Sequence, residues 1–402
     1  GDCGSHAPFD KDIRFFEFIR DIFLPGHPKP DKAFKDELHA KVDAVLKDYR
    51  GGKVYAKKLK WSIDWLPSHW RADGKQERPV FYYNRAVWNH LEEFRTYMNE
   101  WSSENTCERG QKPCVDEVNV TMVDTFLDFV LYYYKLSFDY GNAGVYCDNY
   151  YPRPTWNLAY PEAYRDPESG KIVGAAAIWT MREHAKRVFV MMNERSDIEP
   201  FFYPHMTSAQ ILPLMGFAQA QLDWEDKGGM GPVQTRFSPE FVQMVSSGLI
   251  VGACPELLSD RGVPKVDKEF VARTYCAVPL VHGIPYGGNP KLAPWANYLR
   301  DDYCRNQKLD LHRYFDDGDP VVKVSDPDVK WCLYRIPDGK TAILFVSYAD
   351  RPLTCTFEVA DSLGLKGKKI TDLDTKASGS HTLHFKRGYE IICLEFEPKR
   401  SN

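Results

Sequence analysis

No stretch of the chain approaches the roughly 18 apolar residues that a membrane-spanning helix needs, so no membrane span is expected. Positive charge is not in excess: 52 Lys and Arg stand against 56 Asp and Glu, a net charge of −4. Without a basic field, nucleic acid is not an expected partner. The 10 Cys include no Cys-x-x-Cys pair, which argues against a structural zinc site. They are also too few to build a disulfide scaffold in 402 residues. The glycine-rich run His282-Gly283-Ile284-Pro285-Tyr286-Gly287-Gly288 has no phosphate-binding spacing behind it. Nothing in the sequence calls for a cofactor or a bound metal.

What is present fits a soluble globular protein, with 43% hydrophobic and 27% charged residues. A length of 402 residues suits a large domain followed by a smaller one. Aromatics reach 14%, including 10 Trp and 23 Tyr; flat rings suit the apolar faces of sugars and also fill cores. Cys107 and Cys114 flank a polar loop that they could close as a disulfide, and Asn119-Val120-Thr121 is a glycosylation sequon. These features lean towards an exported protein, extracellular or periplasmic. No signal peptide opens the chain; Gly1-Asp2-Cys3 without Met reads as a processed product or an altered N-terminus.

Along the chain, apolar periodicity predicts helices over 11–26, 31–49, 88–101, 122–138, 179–194, 238–247, 270–281 and 292–305. In the second of these Leu38, Val42, Val45 and Leu46 are expected to face inward. The clearest is 122–138, with Val123, Phe126, Leu127, Val130, Leu131 and Tyr134 at i, i+3, i+4, i+7, i+8 and i+11. Strands or extended runs are expected at Lys53–Lys57, Pro79–Asn84, Ala143–Asp148, Pro200–His205, Ala218–Glu225 and Leu249–Ala253. This alternation predicts an α/β fold, a (β/α)8-type (TIM) barrel with a C-terminal antiparallel β-sandwich. About six barrel-type strands follow residue 50, where a barrel needs eight, so the barrel is expected to be incomplete. A missing N-terminal part of the same protein would then be a partner. The barrel domain is placed at 1–317. From 318 to 402, seven short β-branched and aromatic runs with no helix between them predict the sandwich.

Three of the extended runs end in polar groups: Asp148-Asn149, His205, and Asp223 with Glu225. Delivery of carboxylates and a His to one end of a β/α array is what a barrel active site needs. Each alone is also an ordinary cap or ion-pair partner. Two carboxylates at a barrel mouth suit glycosidic cleavage, one protonated to assist the leaving oxygen and the other charged. The candidate catalytic residues are Asp148, as nucleophile or stabiliser, Glu225 as general acid/base, and Asp223 as its alternative. Asn149, Tyr146, His205, Trp224, Tyr83 and Trp61 are the candidate substrate-binding residues, for an oligosaccharide or polysaccharide.

The run Gly144-Val145-Tyr146-Cys147-Asp148, followed by a Pro-bearing loop, resembles the catalytic barrels of bacterial glycoside hydrolases related to family 123, the β-N-acetylgalactosaminidases. The helix carrying Met181-Arg182 and Arg187-Val188-Phe189, the strand ending in His205 and the segment with Glu225 also look like that group. So does the terminal sandwich, with Leu363-Gly364-Leu365 before Ile370-Thr371-Asp372-Leu373. The resemblance spans about residues 50–396 and is diffuse. It implies an adjacent Asp-Glu pair and a substrate-assisted mechanism, in which the Asp steadies the substrate's acetamido group and the Glu is the acid. Asp148 matches the Asp; the next residue is Asn149, which cannot serve as the acid, so Glu225 takes that role in this reading. Two alternatives stand beside the glycosidase. One is a non-catalytic glycan-binding protein derived from such an enzyme, which Asn149 favours. The other is a metal-dependent hydrolase built on His205, Asp148 and Glu225, which the scatter of the 11 His disfavours.

Overall fold

A computed structural model describes residues 28–48, 53, 56, 57, 60, 63, 64, 80–84, 86–88, 92–102, 117–139, 142–152, 154–195, 200–205, 211–223, 231–246, 253–257, 267–284, 293–304, 306–336 and 339–397. The chain divides into two compact units, residues 1–221 and 222–402. The expected domain limit at 317/318 falls inside the second of these.

The first unit is built on a parallel sheet of β1 (Val80–Asn84), β2 (Gly144–Asp148) and β3 (Phe201–Pro204), with β2 in the middle. Helix α1 (Asp124–Asp139) leads into β2, and helix α2 (Ile178–Asn193) leads into β3. In α1 the apolar stripe expected from the sequence is buried, with Phe126, Leu127, Val130, Leu131 and Tyr134 almost wholly covered. The register sets Gly144 against Phe201 and Tyr146 against Tyr203, and Tyr83 against Cys147 on the other side. Ahead of the sheet, the helix Lys32–Leu46 is capped by Asp31, whose Oδ1 accepts the Phe34 N–H at 2.8 Å. It buries Leu38, Val42 and Leu46. Val45, expected inward, is exposed, at the edge of the stripe that Leu38, Val42 and Leu46 define.

Between Asp148 and α2 the chain makes a long excursion held by two short antiparallel pairs, Pro154–Thr155 with Ala175–Ala176 and Tyr164–Arg165 with Ile172–Val173. The strand expected at Lys53–Lys57 is not formed. Lys53, Ala56 and Lys57 are helical, as are Lys60, Ile63 and Asp64. The buried Ala56 and Ile63 lie seven residues apart, a helical rather than a two-residue period. Among the described residues the parallel sheet has these three strands and no closed eight-stranded barrel. Strand Ala220–Asp223 is not part of it.

The second unit contains the β-sandwich. One sheet has the order β4 (Asp310–Arg313), β6 (Val329–Arg335), β7 (Thr341–Ser347), β11 (Ile391–Phe396), β9 (Ile370–Asp372), and the other β5 (Val322–Val324), β8 (Leu353–Val359), β10 (Thr382–Phe385). All pairings within them are antiparallel. Every residue of β7 is buried. Its Ile343 and Phe345 meet the three-stranded sheet, where Phe345 lies 4.7 Å from Phe357, ring centre to ring centre. Its Ala342, Leu344 and Val346 pack on the opposite side against helix α3 (Lys268–Val281) and Trp295. A strand covered on both faces must be apolar at every position, and Thr341-Ala342-Ile343-Leu344-Phe345-Val346-Ser347 meets that demand apart from its two end hydroxyls.

At the end of α3, His282 is buried. Its Nδ1–H donates to the Val278 carbonyl at 2.7 Å, and its Nε2 accepts the Tyr314 hydroxyl at 2.9 Å. Burial pushes its pKa down to about 4. The folded state therefore holds the imidazole neutral while an unfolded chain takes up a proton below the ordinary value of about 6.5. This contribution to stability is complete above that value and declines as pH falls towards 4, by up to ~3 kcal/mol. Thermal melting of the parent and of His282→Asn should therefore show a gap that narrows between pH 7 and pH 4.

Gly144 marks the closest approach in the parallel sheet. A Cβ there would collide with the backbone carbonyl oxygen and Cβ of Phe201. Gly144→Ala should lower unfolding free energy in urea by about 3 kcal/mol, the upper end of overpacking costs.

Candidate functional site

Side chains of a strand alternate between its two faces, and the helices of the first unit identify which face is which. Cys147 lies 3.6 Å (Sγ) from the Tyr134 hydroxyl of α1. Phe202 packs against His184 of α2, with ring centres 6.3 Å apart. Cys147 and Phe202 therefore point to the helices. Tyr146, Asp148, Tyr203 and His205 point the other way, at the C-terminal end of parallel strands, the face and end that β/α enzymes use.

There the structure brings three of the expected residues together. His205 Nδ1 lies 2.8 Å from Asp148 Oδ1 and 3.2 Å from the Tyr146 hydroxyl. The same Asp148 oxygen accepts the Asn149 backbone N–H at 2.8 Å. His205 is almost fully buried, with 3% of its side chain exposed, whereas Asp148 keeps 20%. Tyr146 stacks near His205, ring planes 20° apart, and leans on Tyr203. The short contact to the carboxylate assigns the Nδ1 proton to Asp148, which makes Nε2 the lone-pair nitrogen in the neutral ring. Nε2 is buried without a hydrogen-bond partner.

The backbone holds this arrangement. The His205 N–H donates to the Cys147 carbonyl at 2.8 Å, and the Tyr150 N–H donates to the His205 carbonyl at 2.8 Å. One residue of the neighbouring strand thus bonds on either side of Asp148-Asn149. For the chain to return between those two bonds Asn149 turns into the left-handed region, φ 53°, where Asn is among the most tolerated non-glycine residues.

Asn149 is partly buried beside the carboxylate. Tyr83 is placed by register alone, opposite Cys147. Asp223 closes strand Ala220–Asp223. Trp61, Trp224 and Glu225 lie outside the described residues, as do Cys107 and Cys114. Thr121 of the sequon is buried, its hydroxyl 2.8 Å from that of Thr155. Among the described residues no three His, Cys, Asp or Glu side chains gather as a metal site. A groove of about 490 Å3 lined by Leu131, Lys135, Phe138, Glu183, Val190 and Arg195 among others contains none of the site residues. Arg182 and Arg187 pair with Glu183 and Asp128.

No family model matches the sequence, and no curated protein matches it. Solved structures similar to the chain include a GH27 β-L-arabinopyranosidase from Geobacillus stearothermophilus, at 12% identity over 85% of this chain and 77% of that one, with a TM-score of 0.46. Another is the trehalose-6-phosphate hydrolase of Bacillus licheniformis, at 10% identity, 86% of each chain and a TM-score of 0.47. A third is the maltogenic α-amylase AmyB of Thermotoga neapolitana, at 10% identity, 85% and 80% coverage and a TM-score of 0.46. These neighbours are glycoside hydrolases.

Sequence reasoning missed the layer beneath β2, where Tyr134, His184 and Tyr150 are fully buried. Its signal was a His on the apolar stripe of α2, between Met181 and Val188. The dyad above it has a direct test. His205→Ala should cost about 2–4 kcal/mol in urea unfolding, from a lost charge-assisted hydrogen bond and a cavity. His205→Asn, which keeps an N–H near the Nδ1 position, should recover much of that loss.

Proposed function

We propose that the chain is a glycoside hydrolase that uses Asp148 as its anionic carboxylate. The observation that carries this reading is the pair of N–H donors, from His205 and Asn149, on one oxygen of a partly exposed carboxylate. It stands at the C-terminal end of a central parallel strand, on the face turned from the helices. Donors fixed on one oxygen favour the charged form and set the direction of the group. That is what a nucleophile, or a stabiliser of an oxocarbenium-like centre, requires. Tyr146 and His205 orient Asp148 in this reading, and Asn149 offers its amide to a sugar hydroxyl. The general acid/base is assigned on sequence grounds to Glu225, with Asp223 second. Trp61, Tyr83 and Trp224 are assigned as substrate platforms on the same grounds. The substrate class is an oligosaccharide or polysaccharide, and export from the cell belongs to the same proposal.

The substrate-assisted route that the family-123 resemblance implies needs an acid next to Asp148. Asn149 has none, and N-acetylhexosamine specificity is left out of the proposal. The amide also favours a second reading, a glycan-binding protein without turnover.

Hydrolysis of a panel of aryl glycosides and oligosaccharides decides between them. Asp148→Asn should lower kcat at least ~1,000-fold and Glu225→Gln a hundredfold or more on the cleaved substrate, about 3–4 kcal/mol of transition-state stabilisation. Parent-like rates in both variants would remove the catalytic assignment. Sugar binding by calorimetry with no turnover, unaffected by Glu225→Gln, would establish the second reading.

A further inference from the structure

The buried polar groups under β2 form a chain whose proton directions follow from one carbonyl when the His184 ring is neutral. The Tyr150 hydroxyl is 2.6 Å from the Met181 carbonyl, which can only accept, so it donates there. It must then accept from His184 Nδ1–H, 2.9 Å away. With the proton on Nδ1, His184 Nε2 accepts the Tyr134 hydroxyl at 3.2 Å. Tyr134, having donated, is left as acceptor for the Cys147 thiol at 3.6 Å. Burial pushes that thiol's pKa strongly upward, keeping it S–H. Every group is thus satisfied with His184 neutral, and the chain runs from the residue before Asp148 to the residue just after Asn149.

We propose that His184, acting through Tyr150, is a positioning residue for Asp148. Tyr150 is held at both ends: its hydroxyl by Met181 and His184 of α2, and its N–H by the His205 carbonyl. The Asp148-Asn149 turn is fixed between that anchor and Cys147, whose own thiol closes the other end of the chain. His184 packs with Phe202 on the helix side of the sheet, and Asp148 stands on the other; His184 sets where the carboxylate stands. The catalytic consequence rests on the glycosidase reading, while the holding of the turn does not.

The test therefore has two arms, amide hydrogen exchange and turnover, on the full chain. Tyr150→Phe keeps the ring and removes the hydroxyl. It should speed exchange of the Tyr150 and His205 amides about tenfold or more, and lower kcat about 10- to 100-fold with KM within about twofold, as displacement of a reacting group does. His184→Gln, which retains one donor and one acceptor, should keep both readouts close to the parent; His184→Phe should not. Tyr132→Phe, on the exposed side of α1, is the control. Tyr134→Phe gives a milder form of the same readout should a His184 variant fail to fold. Unchanged exchange in Tyr150→Phe and Tyr134→Phe overturns the proposal. Faster exchange with parent kcat, where Asp148→Asn abolishes turnover, also overturns it, because the chain would then be structural only. Where Asp148→Asn keeps parent turnover the glycosidase reading fails, and faster exchange at Tyr150 still supports the holding of the turn.

Discussion

The backbone N–H and carbonyl of His205 hydrogen-bond on either side of Asp148-Asn149, and the first unit's site depends on that pair of bonds. A parallel ladder normally ends where one strand runs out of partners. Here the His205 N–H and carbonyl reach Cys147 and Tyr150 across two residues that do not pair with β3. The carboxylate projects from the gap. Its direction is settled by the ring of the same His205 whose backbone closes the turn. This requires β2 and β3 to lie in one register, and that register begins at Gly144 against Phe201, where no side chain fits. A glycine at the start of the strand and a carboxylate at its end are two consequences of one alignment.

The two faces of β2 divide the polar work. Towards the helices, Cys147, Tyr134, His184 and Tyr150 satisfy one another with neutral groups in a fully buried layer. Low dielectric strengthens such bonds only when none is left unmade, and here each has a partner. On the other face His205 is as deeply buried but meets a carboxylate that stays partly open to water. The carboxylate of this pair is thus the group that solvent reaches. The central strand of the second unit, β7, has no such division. It is apolar towards both neighbours, and its task is to join two cores.

Periodicity made the regular parts legible. Helix α1 follows a 3.6-residue repeat that packing reinforces, and the seven runs expected after residue 318 all form strands. Lys53–Lys57 failed because Val54 and Tyr55 beside a Gly-Gly stop carry strand propensity, while the buried Ala56 and Ile63 obey a helical period. Asp148, Tyr146 and His205 were each nominated from the end of an apolar run. That they share one nitrogen was not legible, because it depends on aligning strands whose contacting residues are 57 apart. His184 was hidden by its own setting, since one His among Met, Ala and Val of an amphipathic stripe is ordinary until its neighbours across two helices are known.

Asn149 changes meaning most between sequence and structure. Read along the chain it is a missing acid beside Asp148. In the fold its backbone sits at φ 53° and its N–H is given to the Asp148 carboxylate. The left-handed region costs most L-residues about 1–2 kcal/mol, and Asn less, because its short amide bonds locally. A longer acid at this position would have to meet that strain, and relaxing it would swing the N–H away from Asp148. The turn that presents the first carboxylate therefore selects against a Glu immediately after it. A second acid, where the proposed chemistry demands one, therefore has to come from elsewhere in the chain.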